Sequence, residues 1–454
     1  MTIFSKSFLI AGIFLLFNCL ANAQGYSRQQ IIDDLSYLKS RMELFHPKIQ
    51  LYNPEFNTKA ESVLREARDN MTRLEGFQLV SKLASLGNEG HYGLGEWHDS
   101  VHMGFLNNTY RYLPLGIYVL DGRIYVKSNV SNDTTMQKGA EIHSINGLPA
   151  TAILDRLRAC LPTDGEIPGS FYNRLTQGFS WLYYFYVEQP ETFEIAYTPY
   201  RETTRRTITI DALTRRRQME NQSNEKQDET PGGQTIDDLY TFEIQDGTGW
   251  LNLKSFSWQL VEQFKVDAQK LYGGIFKELY EKSIQTLVID LRDNYGGRNE
   301  LAEDMLPFIL KQNQKGIYRT SISWRGKKQE LKLPKRHKQA FNGKIYVLVN
   351  AGTFSSAASL ARYLREYTDA IIIGSEACSR FEGFVAGSKQ AVNLPNLNIR
   401  VFIPRYLSLF PPSSKQQTSN RGLMPDHLIS YSIDELLENV DKERAYVEDL
   451  LKQD

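Results

Sequence analysis

The spacing of apolar residues changes along the chain and predicts regions of different secondary structure. Within residues 24–111, apolar side chains recur every three or four positions, as at Ile31, Leu35 and Leu38. This period is that of an amphipathic helix. We therefore predict a helical N-terminal region, interrupted where His46-Pro47 disfavours helical backbone.

Residues 112–212 show a different pattern, in which apolar and polar residues alternate over short runs. Such alternation predicts strands that are buried on one face. The dipeptide Asp121-Gly122 between two of these runs is typical of a β-hairpin turn. The predicted elements of this β-rich unit are strands at 112–120, 123–127, 192–197 and 206–210 and a helix at 150–157.

Residues 238–454 alternate between strand-like and helix-like runs, whereas residues 213–237 before them are polar, charged and nearly free of apolar side chains. The polar stretch predicts a mobile linker. The alternation predicts an α/β domain with a largely parallel sheet and flanking helices. The predicted strands are at 249–256, 284–291, 344–350, 370–374 and 398–404, and the predicted helices are at 259–281, 299–311 and 355–367.

Residues 1–23 have the pattern of a secretory signal peptide. Lys6 precedes an apolar run over residues 8–20, and Ala21-Asn22-Ala23 has the small-x-small form of a cleavage site. The mature chain is then expected to begin at Gln24 and to lie in the periplasm or cell envelope. No membrane span is expected after cleavage.

Composition narrows the possible partners and leaves the disulfide question open. The chain has 454 residues, enough for two or three domains, and its 53 basic and 53 acidic residues balance. We therefore expect no nucleic-acid partner. Lipid attachment at Cys19 is not expected, because Asn18 precedes it where a small residue is needed. Cys160 and Cys378 remain after cleavage, and the sequence decides neither their pairing nor the oligomeric state.

The strongest candidate for chemistry is the stretch from Val347 to Leu364. An apolar run ends in Asn-Ala-Gly, and Ser355 and Ser356 stand where a helix-forming run begins. A hydroxyl at a helix N-terminus lies among unpaired N–H groups that favour negative charge, as an acyl-transfer nucleophile requires. The alternative is that Thr353 or one of the serines only caps the helix.

A second candidate is the end of the strand predicted at 284–291. Asp290 and Arg292 stand there, and Gly296 and Gly297 follow. Sites in α/β sheets form at the carboxyl ends of strands, and paired glycines let backbone N–H groups approach a ligand. The alternative is a structural turn stabilised by an Asp–Arg pair.

Two weaker candidates lie far from these strands. His91 follows Gly90 in an aromatic-rich loop, where it is either free to reach a distant site or simply solvated. His98 and His102 are four residues apart, but no third metal ligand accompanies them, so we expect no metal and no other cofactor. The Gly- and Pro-containing turn at Asn420–Asp426 indicates little by itself.

Together these four segments resemble the motifs of the tail-specific, or C-terminal processing, serine peptidases, a family that includes the tricorn core peptidases. Asp290–Gly297 resembles the family's Asp-Leu-Arg-x-Asn-x-Gly-Gly, Asn350–Ser356 its nucleophile turn, and Gly422–Asp426 its closing Gly-x-x-Pro-Asp. Gly90-His91 resembles a loop of the tricorn-like branch, and residues 112–212 resemble the family's PDZ-type module. The resemblance covers nearly the whole mature chain and implies a multidomain α/β fold with a ClpP/crotonase-like core.

The resemblance also implies a mechanism, with Ser355 as the nucleophile. One branch of the family activates its serine with a lysine further along the chain. Arg380 stands at that place, and a guanidinium keeps its proton at physiological pH, so it cannot act as a base. The tricorn-like branch uses a histidine, and His91 supplies one.

The resemblance further implies an oxyanion hole and a substrate-binding strand. The Ser356 N–H and the N–H of Gly296 or Gly297 are expected to hold the oxyanion. PDZ-type modules add a peptide to a sheet edge and hold its carboxylate on backbone N–H groups. The alternative is a purely structural β unit that closes over the cleft. The residues expected to bind substrate are Leu115, Gly116 and Ile117.

The acidic residue that orients the histidine in the tricorn-like branch has no obvious counterpart. Ser419 stands in its place, and Glu376 and Glu382 are nearby candidates. The favoured hypothesis is a secreted serine peptidase that hydrolyses polypeptides through an acyl-enzyme. The alternatives are a catalytically inactive peptide-binding protein on the same scaffold and an esterase that uses the same serine and histidine.

Overall fold

The structure is a computed structural model, and it describes residues 25–95, 110–225, 234–416 and 419–453. The predicted signal peptide at 1–23 and the pair His98 and His102 lie outside these residues. Among the described residues, none of the helices has both the length and the apolar character that crossing a membrane demands.

The chain folds into helices and strands in this order. The helices are α1 (Arg28–Phe45), α2 (Ile49–Tyr52), α3 (Phe56–Arg65), α4 (Arg73–Ser85), α5 (Ala150–Cys160), α6 (Pro168–Tyr186), α7 (Arg215–Glu225), α8 (Trp258–Gln263), α9 (Ala268–Glu281), α10 (Glu300–Glu303), α11 (Leu306–Ile309), α12 (Ser356–Tyr367), α13 (Ile433–Leu437) and α14 (Lys442–Leu451). The strands are β1 (Gly93–Gly95), β2 (Arg111–Tyr112), β3 (Leu115–Leu120), β4 (Arg123–Asn129), β5 (Glu141–Ile145), β6 (Leu148–Pro149), β7 (Thr192–Thr198), β8 (Arg206–Asp211), β9 (Leu213–Thr214), β10 (Tyr240–Gln245), β11 (Thr248–Leu253), β12 (Thr286–Asp290), β13 (Ile317–Ser323), β14 (Lys328–Lys332), β15 (Lys344–Val349), β16 (Ile371–Gly374), β17 (Gly383–Asn393), β18 (Arg400–Leu409) and β19 (His427–Leu428).

The N-terminal region is helical, and its two longest helices begin at side-chain caps. Ser27 and Gln30 form a capping box at the start of α1, and Thr72 and Glu75 form another at the start of α4. Each box satisfies two backbone N–H groups that the helix itself leaves unpaired. The first residue after α1 is His46, where the following proline disfavours helical backbone.

The β-rich unit is a sheet with strand order β3-β4-β5-β7-β8, to which β6 is joined through β5. Its strands and α5 lie close to the predicted positions. The 19-residue helix α6 differs from the prediction, because its sequence contains many Phe, Tyr and Trp residues, which favour strands. The chain nevertheless forms a helix there, which buries Phe171, Leu175, Phe179 and Leu182, residues three or four positions apart on one face.

The predicted linker at 213–237 also contains a helix. Arg215–Glu225 forms α7, although the segment has almost no apolar residue with which to pack. Polar side chains attach it instead: Gln218 donates to the carbonyl oxygen of Leu213, and Asn221 donates to that of Val130. The helix was not predicted, because composition does not reveal hydrogen bonds to other segments, and the role of residues 213–237 as a linker stays a prediction.

The C-terminal region is the predicted α/β domain. Its main sheet has the order β10-β11-β12-β15-β16-β19, in which β11, β12, β15, β16 and β19 are parallel and β10 is an antiparallel edge. The strands β12 and β15 are neighbours, so the two segments that carry Asp290–Gly297 and Asn350–Ser356 end side by side. The predicted multidomain α/β fold is confirmed.

A second, antiparallel sheet was not predicted. It has the order β1-β18-β13-β14, with β17 paired to β18. The strand β1 lies directly after His91, and Gly93 pairs with Phe402 of β18. Thus the loop that carries His91 is joined by backbone hydrogen bonds to the C-terminal domain.

The hydrophobic cores follow this connection. One continuous core contains the N-terminal helices, the β-rich unit, and residues of β17 and β18 such as Val392 and Val401. A second core fills the space between the main sheet and α8 to α12. Cys160 and Cys378 are both buried and free, so they do not pair.

Candidate active site

The nucleophile turn lies between β15 and α12. Ser355 has a φ of 55° and a ψ of −124°, a backbone conformation that is strained for a residue with a side chain. Thr353 fixes the turn from inside, because its hydroxyl accepts from Asn350 N–H (3.0 Å) and donates to the Leu291 carbonyl (2.8 Å). This conformation places the Ser355 hydroxyl beyond the carboxyl end of β15, just before the first turn of α12.

The neighbouring strand end supports the same turn. Asp293 N–H donates to the Asn350 side-chain oxygen (2.9 Å), and Phe354 N–H donates to the Asn294 carbonyl (3.0 Å). A Cβ atom at Gly296 would lie 2.7 Å from Cβ of Ser355. The glycine is therefore required by the closeness of the two segments.

Arg292 is not part of this contact. Its guanidinium pairs with Asp290 (2.7 Å), Asp441 (2.6 Å) and the buried Glu443 (3.1 Å). These ion pairs attach the end of β12 to α14. The Asp–Arg pair is therefore structural, as the alternative predicted, while Gly296 after it lies against Ser355 and Gly297 contacts the Ser356 hydroxyl.

His91 reaches the nucleophile turn from the N-terminal region. Its Nε2 lies 3.0 Å from Oγ of Ser355, across 264 residues of sequence. The imidazole stacks on Phe354 with the ring centres 4.5 Å apart, and on Phe384 at 5.4 Å. These two aromatic rings fix the plane of the imidazole beside the hydroxyl.

Burial controls the charge of this histidine. Loss of water lowers the pKa of His91 to about 4, and the charge of Asp164 opposes this shift while Lys389 and Arg174 add to it. The ring is therefore neutral at physiological pH. A neutral imidazole within hydrogen-bond distance of a hydroxyl is the arrangement that general-base chemistry requires.

Arg380 occupies the place where the other branch of the resembled family carries its lysine, and it holds the loop of His91. Its fully buried guanidinium donates to Glu89 (2.7 Å) and to the Asn88 carbonyl (2.7 Å), and it lies over the ring of Tyr52 at 3.8 Å. Burial by itself would lower the pKa of Arg380, but the charges of Glu89 and Asp164 outweigh this effect. The net result is a raised pKa, so the guanidinium stays charged.

The two acidic candidates do not contact the histidine. Glu376 accepts from Arg421 and from Gly422 N–H (2.7 Å), and Glu382 accepts from Asn420 N–H (2.9 Å). Both carboxylates therefore stabilise the turn at 419–426. Ser419, which stands at the acidic position of the tricorn-like branch, is exposed.

A different carboxylate lies beside the histidine. Asp164, in the loop between α5 and α6, is fully buried and accepts from Gly90 N–H at 2.6 Å. Ligand-type atoms of Glu89, His91 and Asp164 all lie within 4.8 Å of one another. Sequence reasoning missed Asp164, because Thr-Asp-Gly in a loop is typical of an ordinary turn.

The predicted oxyanion donors are only partly available. Gly297 N–H donates to the Ser356 hydroxyl (2.8 Å), and Gly296 N–H donates to the Asn294 side chain (2.9 Å). The structure thus differs from the prediction for both glycine donors. The Ser356 N–H has no acceptor among the described residues, and a Cβ atom at Gly296 would lie 2.8 Å from this nitrogen.

The predicted substrate-binding residues lie in β3, the edge strand of the β-rich sheet. The side chains of Leu115 and Ile117 are buried in the core of this unit. Leu115 and Gly116 also line a groove of about 420 Å³ between β3, α6 and α7, beside Trp181 and Met219. This groove is separate from Ser355 and His91, which do not line it.

In this site a strained serine lies at the end of a strand, and a neutral histidine lies within hydrogen-bond distance of its hydroxyl. This arrangement is that of the serine hydrolases. Residues 247–429 match the model of peptidase family S41, which places this part of the chain among serine peptidases. The predicted resemblance to the tail-specific peptidase family is therefore confirmed, while the tricorn-like branch stays a prediction, and a peptidase domain implies polypeptide substrates.

Solved structures show where the fold has been seen before. The chain is similar to mature CPAF, with 13% identity, a TM-score of 0.65, and coverage of 94% of this chain and 98% of that chain. The complex of mature CPAF with lactacystin gives 14% identity, a TM-score of 0.65, and coverage of 94% and 99%. No curated protein sequence matches this chain. At such identities the likeness concerns the fold.

Proposed function

We propose that this protein is an exported serine peptidase in which Ser355 is the nucleophile and His91 is the general base. The observation that carries the proposal is the 3.0 Å separation between Nε2 of His91 and Oγ of Ser355. This separation joins residues from two distant segments at the one strained serine of the nucleophile turn. A helix cap alone would not need a histidine on its hydroxyl.

The acylation step follows from this geometry. The Ser355 oxygen attacks the carbonyl carbon of the scissile peptide bond while His91 Nε2 takes the hydroxyl proton. The tetrahedral intermediate then collapses. The carbon–nitrogen bond breaks, and the imidazolium gives its proton to the departing amine. This leaves an acyl-enzyme on Ser355.

Deacylation reverses the proton transfer. A water molecule gives a proton to His91 and attacks the ester carbonyl, and the imidazolium returns the proton to the Ser355 oxygen as the acid product leaves. In both steps the Ser356 N–H stabilises the oxyanion, because it lies at the start of α12 with its hydrogen unpaired. Gly296 keeps the space beside this N–H open.

We further propose that the chain is exported and that cleavage after Ala23 leaves Gln24 as its first residue. The support is the charged, apolar and small-residue order of residues 1–23. Expression of the full chain in a bacterium, followed by fractionation and N-terminal sequencing, tests this. Recovery of the uncleaved chain in the cytoplasm would contradict it.

Covalent labelling by a fluorophosphonate probe tests the assignment of nucleophile and base. We expect wild type to be labelled, Ser355→Ala to be unlabelled, and His91→Ala to be labelled far more slowly. Ser375→Ala, at the end of β16 in the same domain, and His427→Ala are controls that should be labelled like wild type.

Each outcome separates one hypothesis from another. Labelling that survives Ser355→Ala would remove this serine from the mechanism, and labelling unchanged in His91→Ala would remove the histidine. A folded wild type that is not labelled and cleaves no peptide would favour the inactive peptide-binding protein. Labelling with hydrolysis of esters but not of peptides would favour the esterase.

A further inference from the structure

We infer that Asp164, from the loop between α5 and α6 of the β-rich unit, is the positioning carboxylate for His91. It accepts the Nδ1 hydrogen of the imidazole and so completes a Ser355–His91–Asp164 triad. The inference rests on the proposed function, because it concerns the histidine that serves as base. Asp164 would then be the acidic residue that orients the histidine, a role for which the turn at 419–426 offers only Ser419.

The tautomer of His91 that can act as a base has its ring hydrogen on Nδ1. For Nε2 to accept the Ser355 proton, the ring hydrogen must be on Nδ1. That Nδ1 is buried and has no hydrogen-bond partner among the described residues. A buried N–H without an acceptor destabilises the state that carries it, because the lost hydrogen bond to water is not replaced. The active tautomer therefore requires an acceptor that the nearest aromatic neighbours, Phe354 and Phe384, do not provide.

Two buried carboxylates lie close enough to serve. Glu89 is already bound through Oε1 to Arg380, at 2.7 Å, while its Oε2 is buried without a hydrogen-bond partner among the described residues. Asp164 uses Oδ1 for Gly90 N–H, and its Oδ2 is buried without a partner. A carboxylate oxygen of Asp164 and a ring nitrogen of His91 lie within 4.8 Å. One bound water spans such a separation, or a small shift of the imidazole closes it when substrate binds.

The balance of charge also favours Asp164. Arg380 forms an ion pair with Glu89, whereas Asp164 forms none in the described part of the chain and interacts with Arg380 and Arg174 only at longer range. Protonation of His91 during catalysis places a positive charge beside this unpaired carboxylate. The attraction stabilises the imidazolium, and it is strong because the surroundings are dry.

The loop of Asp164 is held in place from the C-terminal domain. Glu166 N–H donates to the Asn420 carbonyl (2.8 Å), and Asn420 N–H donates to Glu382 (2.9 Å). Gly165 has a φ of 53°, and a Cβ atom there would lie 2.4 Å from the Asn420 carbonyl oxygen. The closing turn therefore acts on the histidine indirectly, by fixing the loop that carries Asp164.

The substitution Asp164→Asn tests the inference. Asparagine keeps the shape and can still accept from Gly90 N–H, but its amide donates toward the imidazole and favours the tautomer with hydrogen on Nε2. We expect the rate of fluorophosphonate labelling to fall by about 10²–10⁴-fold. Glu166→Gln, an exposed carboxylate of the same loop, is the matched control and should be labelled like wild type.

Nitrogen-15 NMR of labelled histidine gives a readout that a merely structural role would not move. Wild type should show His91 protonated on Nδ1, and Asp164→Asn should show it protonated on Nε2, with the melting temperature as a check of folding. An unchanged tautomer in folded Asp164→Asn would overturn the inference. A tautomer that switches in Glu89→Gln instead would overturn it in favour of Glu89.

The two proposals fail in different ways. Absence of labelling in wild type would contradict the serine peptidase function, while the NMR comparison would still decide what orients His91. Labelling of wild type at the same rate as Asp164→Asn would leave the peptidase intact and remove Asp164 from it.

Discussion

The two halves of the active site are built in opposite ways. The nucleophile turn is assembled from adjacent strands of one sheet, and its polar groups bind one another, as in the contacts of Asn350 with Asp293 and of Thr353 with Leu291. The histidine loop is assembled with distant segments, and buried polar atoms of Glu89, His91 and the adjacent Asp164 have no hydrogen-bond partner within the described residues.

The nucleophile turn has the better satisfied polar groups, whereas the histidine loop holds the base in a less satisfied environment. The nucleophile turn is supported by hydrogen bonds of Asn350 and Thr353 at the ends of two parallel strands, and its non-glycine residues with positive φ are Asp293 and Ser355. The histidine loop depends on the buried ion pair Glu89–Arg380, on two aromatic rings and on the pairing of β1 with β18, which are contacts with distant segments. We therefore expect the histidine loop to be the half that responds to substitution at a distance and to pH.

The largest effect should come from removing either reacting residue. Ser355→Ala and His91→Ala should each lower kcat for a peptide substrate by on the order of 10⁶-fold, and the double variant should be no slower than either. The reason is that the two residues act as one unit. Steady-state kinetics would measure this, and losses that multiply in the double variant would show that the two halves act independently.

Loss of the Arg380 guanidinium should detach the histidine loop. Arg380→Met leaves Glu89 buried without a cation. Because burial already raises the pKa of this carboxyl, the carboxyl then takes up a proton, and loss of the pair should cost about 3–5 kcal/mol of the free energy of unfolding. Urea denaturation measures this, with Arg444→Met as a control that breaks an exposed pair and should cost less than about 1 kcal/mol.

The Arg380 substitution also tests whether the loop acts as a unit. The double variant Glu89→Gln with Arg380→Met should lose less stability than the sum of the two single variants. Each single substitution leaves the remaining residue of the pair buried without its partner, whereas the double variant removes both. Additive losses would contradict a direct contribution of the Glu89–Arg380 pair.

Gly296 offers a test on the side of the nucleophile. Gly296→Ala places a methyl group 2.8 Å from the Ser356 nitrogen and 2.7 Å from Cβ of Ser355. We expect kcat to fall by about 10²–10³-fold through loss of the oxyanion donor. Gly122→Ala is the control, since its φ of 74° is close to the 78° of Gly296 but no atom lies within 4 Å. Equal losses in both would assign the effect to backbone strain alone.

As the pH falls, the region around His46 and His91 should lose stability before the nucleophile turn does, because the nucleophile turn contains no histidine. Burial lowers the pKa of both His46 and His91 to about 4. Below the unfolded value of about 6.5 the unfolded chain binds protons that the folded chain does not. Stability should therefore fall as the pH drops from about 6.5 towards 4, by at most about 3 kcal/mol per histidine. Urea denaturation at pH 7 and pH 5 measures the loss, and His46→Gln should reduce it by about half. An unchanged pH dependence in that variant would contradict the assignment to His46.

Sequence patterns predicted much of the fold. The strands of the α/β domain were predicted because buried parallel strands are continuous apolar runs between helices, as at β12 and β15. The helix α6 was missed because its aromatic residues favour strands. The helix α7 was missed because its binding partners lie on other elements. The antiparallel sheet of β1, β13, β14, β17 and β18 was missed because β1 and β13 pair with β18, which lies far from both in sequence.

The sequence by itself determined the nucleophile turn, because the strand, Gly352 and the first residues of the helix lie next to one another along the chain. It also excluded Arg380 as a base through the chemistry of the guanidinium. Only the tertiary structure decided that His91 meets Ser355, that Arg380 holds Glu89, and that Asp164 lies beside the histidine. Those contacts join residues far apart in sequence, so no local pattern encodes them, and they exist only once the pairing of β1 with β18 and the shared core bring the segments together.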